Sequence, residues 1–177
     1  MKIIKKILLG LVAFIALLLI VALFIPKTYT LSVSTTINQP QQVVFDYVKL
    51  IKNQEYYSIW VMEDPNSKID YRGTDGTVGF VSAWNSENKN VGEGEQEITR
   101  IDEGNRIDVD LRFKRPFEGN QKAATLLKAL SDKQTMITTE FYGNDPYPFN
   151  LLSFIGKSII TDAQTQNLKN LKTILEK

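Results

Sequence analysis

The chain has 177 residues, of which 43% are hydrophobic and 23% charged, a composition typical of one globular domain rather than of a disordered chain. It contains no histidine and no cysteine. This excludes disulfide bonds, cysteine nucleophiles, Ser-His-Asp triads and the usual zinc sites. Basic and acidic residues nearly balance, at 21 and 20. Because no basic cluster that could neutralise phosphates is present, we expect no nucleic-acid binding.

The N-terminal segment is apolar enough to cross a membrane. Residues 7–25 carry no charge, and as a helix they would span about 28 Å, close to the roughly 30 Å hydrocarbon core. Three lysines precede the segment, so the positive-inside rule predicts a cytoplasmic N-terminus. The sequence thus predicts a single-pass anchor (residues 1–26) in the inner membrane of the cell and an extracytoplasmic domain (residues 27–177). The alternatives are a cleaved signal peptide, for which the apolar run is long and the cleavage site absent, and a core helix of a soluble protein.

The domain begins with a strand and a helix. Alternation from Thr28 predicts a strand to about Ile37. Asn38 is expected to cap the helix that follows. Helical spacing predicts about ten helical residues with an apolar face formed by Val43, Val44, Tyr47, Leu50 and Ile51.

Successive short strands are predicted between residues 68 and 142, with Val78, Phe80, Ser82 and Trp84 on one face of one strand. Residues 121–130 contain helix formers at near-helical spacing, but their place between two strands favours a strand.

A long amphipathic helix is predicted over residues 150–176, with a stripe formed by Ile155, Ile159, Ala163, Leu168, Leu171 and Leu175. This order of elements predicts an α+β domain whose antiparallel sheet is wrapped around the last helix.

Core and turn positions along residues 28–177 form a further pattern. They are Ile37, Asn38, Pro40, Val43, Phe45, Asn53, Ser58, Trp60, Val78, Gly79, Trp84, Gly92, Gly94, Ile98, Thr99, Arg106, Ile107, Phe113, Pro116, Phe117, Gly119, Pro146, Tyr147, Pro148, Asn150, Leu151, Leu168 and Leu171. This pattern resembles small, membrane-anchored bacterial members of the START-related (SRPBCC) superfamily, which includes polyketide cyclase/dehydrase-like and lipid-transport proteins. The resemblance implies the helix-grip fold, a seven-stranded antiparallel sheet that grips the C-terminal helix. The chain departs from the family pattern at Gln54, Tyr57, Thr139 and Asn167, which changes the lining of any cavity.

Acidic residues alternate along two neighbouring strands: Glu93, Glu95 and Glu97 on one, Asp108 and Asp110 on the other. Arginines at positions 106 and 112 share the second face, so we interpret the group as a solvent-facing set of cross-strand charge pairs. A hard-cation site or an acid–base pair is the alternative. The glycines at 92 and 94 predict a bulge or bend rather than a nucleotide site.

An apolar cavity between the sheet and the last helix is the predicted binding site, since such sites are mostly apolar with a few polar groups. The resemblance places pockets of this fold there. Ser82, Gln96 and Thr139 have the inward parity and are the expected polar groups. The full set of candidates is Tyr56, Tyr57, Trp60, Phe80, Ser82, Trp84, Gln96, Ile98, Val109, Leu111, Phe113, Ile137, Thr139, Phe141 and Phe154.

Three functions remain open at this point. The first is a membrane-anchored module that binds a small hydrophobic ligand or lipid, with no catalytic residue, metal or cofactor. The second is an enzyme of the polyketide cyclase/dehydrase type. The third is an envelope interaction module whose cavity is filled by side chains. The ligand and the oligomeric state are not predicted.

Overall fold

A computed structural model describes residues 2–177 of the chain. It begins with the apolar helix α1 (Lys2–Phe24), which is followed by strand β1 (Thr28–Ile37). The remaining elements, in chain order, are α2 (Gln41–Val48), a 3-10 helix (Ile51–Asn53), α3 (Gln54–Tyr57), α4 (Ile59–Glu63), β2 (Lys68–Arg72), β3 (Val81–Asn85), β4 (Glu93–Asp102), β5 (Arg106–Arg115), β6 (Gly119–Ser131), β7 (Gln134–Asn144), a second 3-10 helix (Phe149–Leu152) and α5 (Ser153–Leu175).

The seven strands form one antiparallel sheet in the order β1-β7-β6-β5-β4-β3-β2. Strands β2 to β7 follow one another as a meander, and β1 pairs with the last of them. One side of the sheet packs against α5, and we call it the concave face. The predicted α+β helix-grip fold is confirmed.

The core lies between the concave face and the C-terminal half of α5. It is built from alternate residues of the strands, one face of α2 and two leucines of α5. The buried cluster comprises Ile37, Val44, Phe45, Val48, Ile51, Phe80, Ile98, Ile107, Leu127, Ile137, Leu168 and Leu171.

The two ends of the sheet differ in burial. At the end where β1 finishes, Ile37 and its neighbours on β5, β6 and β7 are fully buried. The Lys172 ammonium near the end of α5 donates to the carbonyl of Thr36 at 2.5 Å there. We call this the sealed end. At the other end, β1 starts directly after α1, and concave-face residues such as Leu111 and Phe113 are only half-buried. We call this the anchor end.

Residues 121–130 are confirmed as part of strand β6, although their local propensity favours a helix. Each residue from Lys122 to Ala129 pairs with β7, and Lys122 to Leu126 also pair with β5. Hydrogen bonds to the strands on both sides satisfy the backbone N–H and C=O groups of this segment. Their contribution outweighs the small intrinsic preference of these residues for a helix.

Three local predictions are wrong. Asn38 does not cap α2: Pro40 occupies the N-cap position, and the Asn38 N–H donates instead to Glu176 Oε1 at 2.5 Å. The core face of α2 contains Val44, Phe45 and Val48, whereas Val43 and Leu50 are exposed. Val78 is also exposed, because β3 begins only at Val81, after a turn.

The stripe along α5 is only partly buried, which corrects the expectation for its first half. Ala163, Leu168 and Leu171 pack into the protein, but Ile155 and Ile159 are exposed. Ile155 and Ile159 lie on the side of the helix turned away from the sheet, whereas Ser153 on the inner side of the first turn is buried.

Candidate functional site

The concave face carries a half-buried, mainly apolar surface on the side where α5 packs, and we call this surface the groove. Strand register places the lining residues of β4 and β5 next to one another, since Gly94 pairs with Phe113, Gln96 with Leu111, and Ile98 with Val109. The half-buried predicted residues on this surface are Trp84, Gln96, Val109, Leu111, Phe113 and Thr139. The groove is closed by buried residues at the sealed end and becomes more exposed toward the anchor end.

Two aromatic rings line the groove at the anchor end. Trp84 and Phe113 meet edge to face, with their centroids 5.8 Å apart and their planes at 71°. The Trp84 indole N–H donates to the carbonyl of Val91 at 3.2 Å, which fixes the ring. Gly94 lies beneath the indole: a Cβ there would be 2.6 Å from the ring. The predicted bend in β4 is present as a register shift between Glu93 and Gly94.

A few polar side chains occur along the groove. Gln54 of α3 and Gln96 of β4 form a reciprocal amide pair, with N···O distances of 3.3 and 2.8 Å. The Thr139 hydroxyl donates to Gln164 Oε1 of α5 at 3.2 Å. Ser82 is buried and lies directly opposite Gln96. Apolar walls with a few fixed polar groups are typical of small-molecule sites.

The other predicted site residues lie outside this surface or deeper in the protein. Phe80, Ile98 and Ile137 belong to the buried core cluster. Tyr57 packs against that cluster, and burial raises the pKa of its phenol. Phe141 is buried and packs near Tyr29.

Three candidates are exposed rather than enclosed. Tyr56 and Trp60, on the short helices α3 and α4, are 59% and 38% exposed, and Phe154 near the start of α5 is 84% exposed. Phe154 lies at the anchor end, where α5 extends past the buried core, so it does not join the groove.

Sequence reasoning missed some of the polar groups of the site. It did not include Gln54, Gln164 or Asn167 among the candidates, although Gln54 and Asn167 stand out as departures from the family pattern. Asn167 Oδ1 accepts the Ile59 N–H at 2.8 Å, which ties α4 to α5. The departures at 54, 139 and 167 all place hydrogen-bonding side chains next to the groove.

Tyr29 forms part of the anchor end of the concave face. Its ring lies over Gly143, where any Cβ would collide with it, and the Lys157 ammonium lies 4.5 Å from the ring centroid. Burial and the neighbouring Asp145 carboxylate raise the pKa of the Tyr29 phenol to about 12. The phenol is therefore neutral at physiological pH.

Asn150 joins α1 to the domain. Its side-chain Nδ2 donates to the carbonyls of Ala22 and Ile25, at 2.7 and 2.8 Å. Both Asn150 and Ala22 are fully buried. The two bonds give the carbonyls at the C-terminal end of α1 a side-chain donor where the helix no longer supplies an i+4 N–H. The Oδ1 atom of Asn150 is buried without a hydrogen-bond partner.

The acidic residues of β4 and β5 form the predicted cross-strand charge pairs. Arg112 donates to Glu95 at 2.7 Å and to Glu97 at 2.6 Å, and Arg72 donates to Glu95 at 2.5 Å. These pairs hold the pKa of Glu95 below its usual value. Within residues 2–177, no three acidic side chains are grouped as a metal site would require.

Two depressions, one on the outer face of the sheet and one at its anchor-end edge, do not resemble an apolar ligand site. One, of about 430 Å³, is lined largely by polar and charged residues such as Arg106, Asp108 and Lys122. The other, of about 480 Å³, lies around Asn120, Gln121 and Asn144. The groove remains the surface whose composition fits a hydrophobic guest.

Comparison with solved structures shows the same fold in other proteins. The chain is similar to Ara h 8.0201, with a TM-score of 0.58 and 16% identity over 84% of this chain and 97% of the other. It is also similar to protein MLL2253 from Mesorhizobium loti (TM-score 0.62, 15% identity, 83% and 96% covered). A third similar structure is DynU16, described as a putative protein in the dynemicin biosynthetic locus (TM-score 0.59, 11% identity, 83% and 47% covered).

Sequence comparison adds nothing to this, since no protein-family model and no curated protein matches the chain. At identities of 11–16% the structural matches establish the fold and leave the function open.

Proposed function

We propose that the protein is a membrane-anchored, non-catalytic binding module of the START-related type, which holds a small hydrophobic ligand or lipid in the groove. Residues 1–26 would form a single-pass anchor in the inner membrane, with the N-terminus in the cytoplasm. Residues 27–177 would form the ligand-binding domain on the extracytoplasmic side.

The observation that carries this proposal is the gradient of burial along the concave face. The sealed end is packed as a protein core, whereas Leu111, Phe113 and Trp84 remain half-buried toward the anchor end. When a guest covers such an apolar surface and removes it from water, binding becomes more favourable by about 25 cal/mol per Å² of surface. The groove opens at the end from which α1 departs, so a guest from a bilayer would have a short path.

Helix α1 supports the anchoring part of the proposal. It is the one helix within residues 2–177 that is long and apolar enough to cross a membrane, and only Ala22 in it is buried. Such exposure is not typical of a core helix in a soluble protein. Asn150 also binds the end of α1, so the segment is integrated with the domain in a way that a removable leader does not require.

Photo-crosslinking tests the ligand-binding proposal. The full chain in phospholipid nanodiscs would be illuminated with a fatty acid that carries a diazirine at the end of its acyl chain, and the labelled peptides would be mapped by mass spectrometry. We expect label on β4, β5 and α5 in addition to α1. Label on α1 alone would contradict the proposal, because lipid would then contact only the anchor.

A pair of variants makes this experiment specific. Leu111→Trp adds bulk to the groove, whereas Leu126→Trp adds the same group on the opposite face of the sheet. We expect the first to reduce label on β4 and β5 at least threefold, and the second to leave it unchanged. Equal labelling of the two variants would favour an envelope interaction module with a filled cavity.

An enzyme of the polyketide cyclase/dehydrase type is the second candidate, since one protein of this fold comes from a biosynthetic locus. Acid–base catalysis would need a carboxyl group whose pKa is raised toward neutrality. The carboxyl groups of Asp64, Glu93, Glu95 and Glu176 are all shifted the other way, mainly by hydrogen bonds and ion pairs. The residues named above as lining the groove include no carboxyl group, so the binding module is the better-supported function.

A further inference from the structure

The exposed side of α5 changes character along the helix. Its first two turns present Ile155 and Ile159, which are 60% and 51% exposed, whereas its exposed positions from Asp162 onward are polar. The 3-10 helix that precedes α5 adds two more exposed apolar side chains. We call these residues together the apolar patch: Phe149, Leu152, Phe154, Ile155 and Ile159.

Charge around the apolar patch is sparse and balanced, with Asp145 and Asp162 at its two ends in the sequence. Between Asp145 and Asp162 the only charged side chain is Lys157, whose ammonium lies against the Tyr29 ring. A second lysine, Lys27, directly follows the apolar run of α1. Lysines can lay their stems along an apolar surface while the ammonium stays in water. Large apolar residues with few charges and with lysines at their edge are typical of surfaces that lie in the interfacial layer of a bilayer.

The apolar patch is fixed next to the end of α1. Asn150, which lies within the 3-10 helix of the patch, donates to the carbonyls of Ala22 and Ile25. As a helix of 23 residues, α1 is about 34 Å long, slightly more than the roughly 30 Å hydrocarbon core. Its C-terminal residues would therefore lie at the bilayer surface, and the bonded 3-10 helix would lie there with them.

We propose that the apolar patch is inserted in the interfacial layer of the bilayer that α1 crosses, and that Asn150 holds it there. The proposal rests on the membrane anchoring put forward above and adds a second, peripheral membrane contact made by the domain itself. The two turns of α5 in the patch rise about 10 Å, comparable with the depth to which interfacial helices bury their apolar face. The polar positions from Asp162 onward would then lie beyond the headgroups, and the groove would open at the membrane surface.

Depth-dependent fluorescence quenching tests this arrangement. Because the chain contains no cysteine, single cysteines can be labelled with a fluorophore against no background. The full chain, carrying Ile155→Cys or Ile159→Cys, would be reconstituted in vesicles of phosphatidylcholine and phosphatidylglycerol that contain a lipid with a shallow nitroxide. We expect at least twofold stronger quenching at these positions than for the matched variant Gln166→Cys on the exposed side of the same helix.

A third label separates the two proposals. Ile15→Cys, in the middle of α1, reports whether the anchor crosses the bilayer, by quenching from a deep nitroxide. Strong quenching there combined with equal, weak quenching at 155, 159 and 166 would overturn the apolar patch and leave the anchor intact. Weak quenching at Ile15 would overturn the anchoring itself. Shielding at 155 that depends on protein density and not on nitroxide lipid would show a second copy or a protein partner, and would also overturn the proposal.

Asn150→Ala tests the link between α1 and the apolar patch. It removes both donated hydrogen bonds, so we expect quenching at Ile155 to fall at least twofold while quenching at Ile15 stays the same. Unchanged quenching at Ile155 would overturn the role of Asn150. If this variant fails to fold, the ratio between positions 155 and 166 in the otherwise unaltered chain still decides whether the patch is in the bilayer.

Discussion

The two halves of α5 carry their large apolar residues on different sides of the helix. The C-terminal half packs Leu168 and Leu171 into the core cluster, and its end is bonded to β1 through Lys172. The N-terminal half leaves Ile155 and Ile159 exposed, and the 3-10 helix that precedes it is bonded to α1 through Asn150. At 100° per residue the apolar positions of the two halves do not form one stripe, so the apolar residues of a helix do not by themselves identify its buried side.

The sheet shows the same contrast. Burial is complete around Ile37, Ile107 and Ile137 at the sealed end and partial around Leu111 and Phe113 at the anchor end. We infer that the sealed end provides most of the stability of the domain, and that the anchor end is available for a ligand and a membrane surface. Substitutions at the two ends test whether their contributions to stability differ in this way.

The largest effect is expected from truncation within the C-terminal half of α5. Leu171→Ala should lower the free energy of unfolding by about 2–5 kcal/mol, because it leaves a cavity in the packed core. Ile159→Ala, in the exposed half, should lower it by about 1 kcal/mol at most, because its side chain is only partly removed from water at the bilayer surface. Urea unfolding of the full chain in nanodiscs, followed by tryptophan fluorescence, measures both. Comparable losses in the two variants would contradict the contrast between the halves.

A methyl group added beneath Trp84 tests how tightly the groove wall is packed at the anchor end. Gly94→Ala would place Cβ 2.6 Å from the indole and 2.7 Å from the Arg112 carbonyl. We expect a loss of about 1–3 kcal/mol in the free energy of unfolding and a red shift of Trp84 emission as the ring moves outward.

The matched control for this variant is Gly156→Ala in α5, where an added Cβ meets nothing within 4 Å. Because alanine is the better helix former, this control should stabilise the protein by up to about 1 kcal/mol. If Gly94→Ala behaved like the control, the wall would be loose enough to rearrange freely.

The sheet could be predicted from the sequence because its cues are local and repeated. Alternation in β1 and β5 and turn residues such as Glu103 to Asn105 define strand limits directly. For β6, the order of elements outweighed the helical propensity of the segment. In each case the backbone must pair with a neighbouring strand, so the order of strands along the chain was enough to predict the sheet.

The details of the site depend on distant contacts and could not be predicted in this way. Phe45, rather than Val43, faces the core because α2 is oriented by β6 and β7, far away in sequence. The Gln54–Gln96 pair joins residues 42 positions apart, and Asn150 bonds Ala22 across 128 positions. No periodicity in the sequence contains this information.

The polar pair in the groove marks the boundary between the two ends. Gln96→Leu should lower the free energy of unfolding by about 1 kcal/mol, because the amide of Gln54 loses its partner in a half-buried site. The double variant Gln54→Leu/Gln96→Leu should recover most of that loss, since neither amide is then left unpaired. A double-mutant cycle measures the coupling directly. Additive losses would show that the two amides act independently and that water replaces each partner.

The smallest effect concerns the outer face of the anchor end, where charge pairs rather than a core hold the strands. The pKa of Glu95 lies below the ordinary value of 4.5, first because Arg112 and then because Arg72 donates to it. A carboxyl group with a lowered pKa in the folded state contributes stability above its unfolded pKa, and this is lost as pH falls through the folded pKa. Glu95→Gln should therefore cost about 0.5–1 kcal/mol at pH 7 and flatten the decline in stability below pH 4.5.

Glu118→Gln, in the exposed turn between β5 and β6, is the matched control for that experiment, and we expect it to leave both the stability at pH 7 and the acid limb unchanged. Urea unfolding at a series of pH values between about 3 and 7 separates the two variants. An unaltered acid limb in Glu95→Gln would mean that the pair with Arg112 is fully screened by solvent. The strands at the anchor end would then be held by their backbone ladder and by the Trp84–Phe113 contact alone, and filling the groove with a ligand would become their main source of added stability.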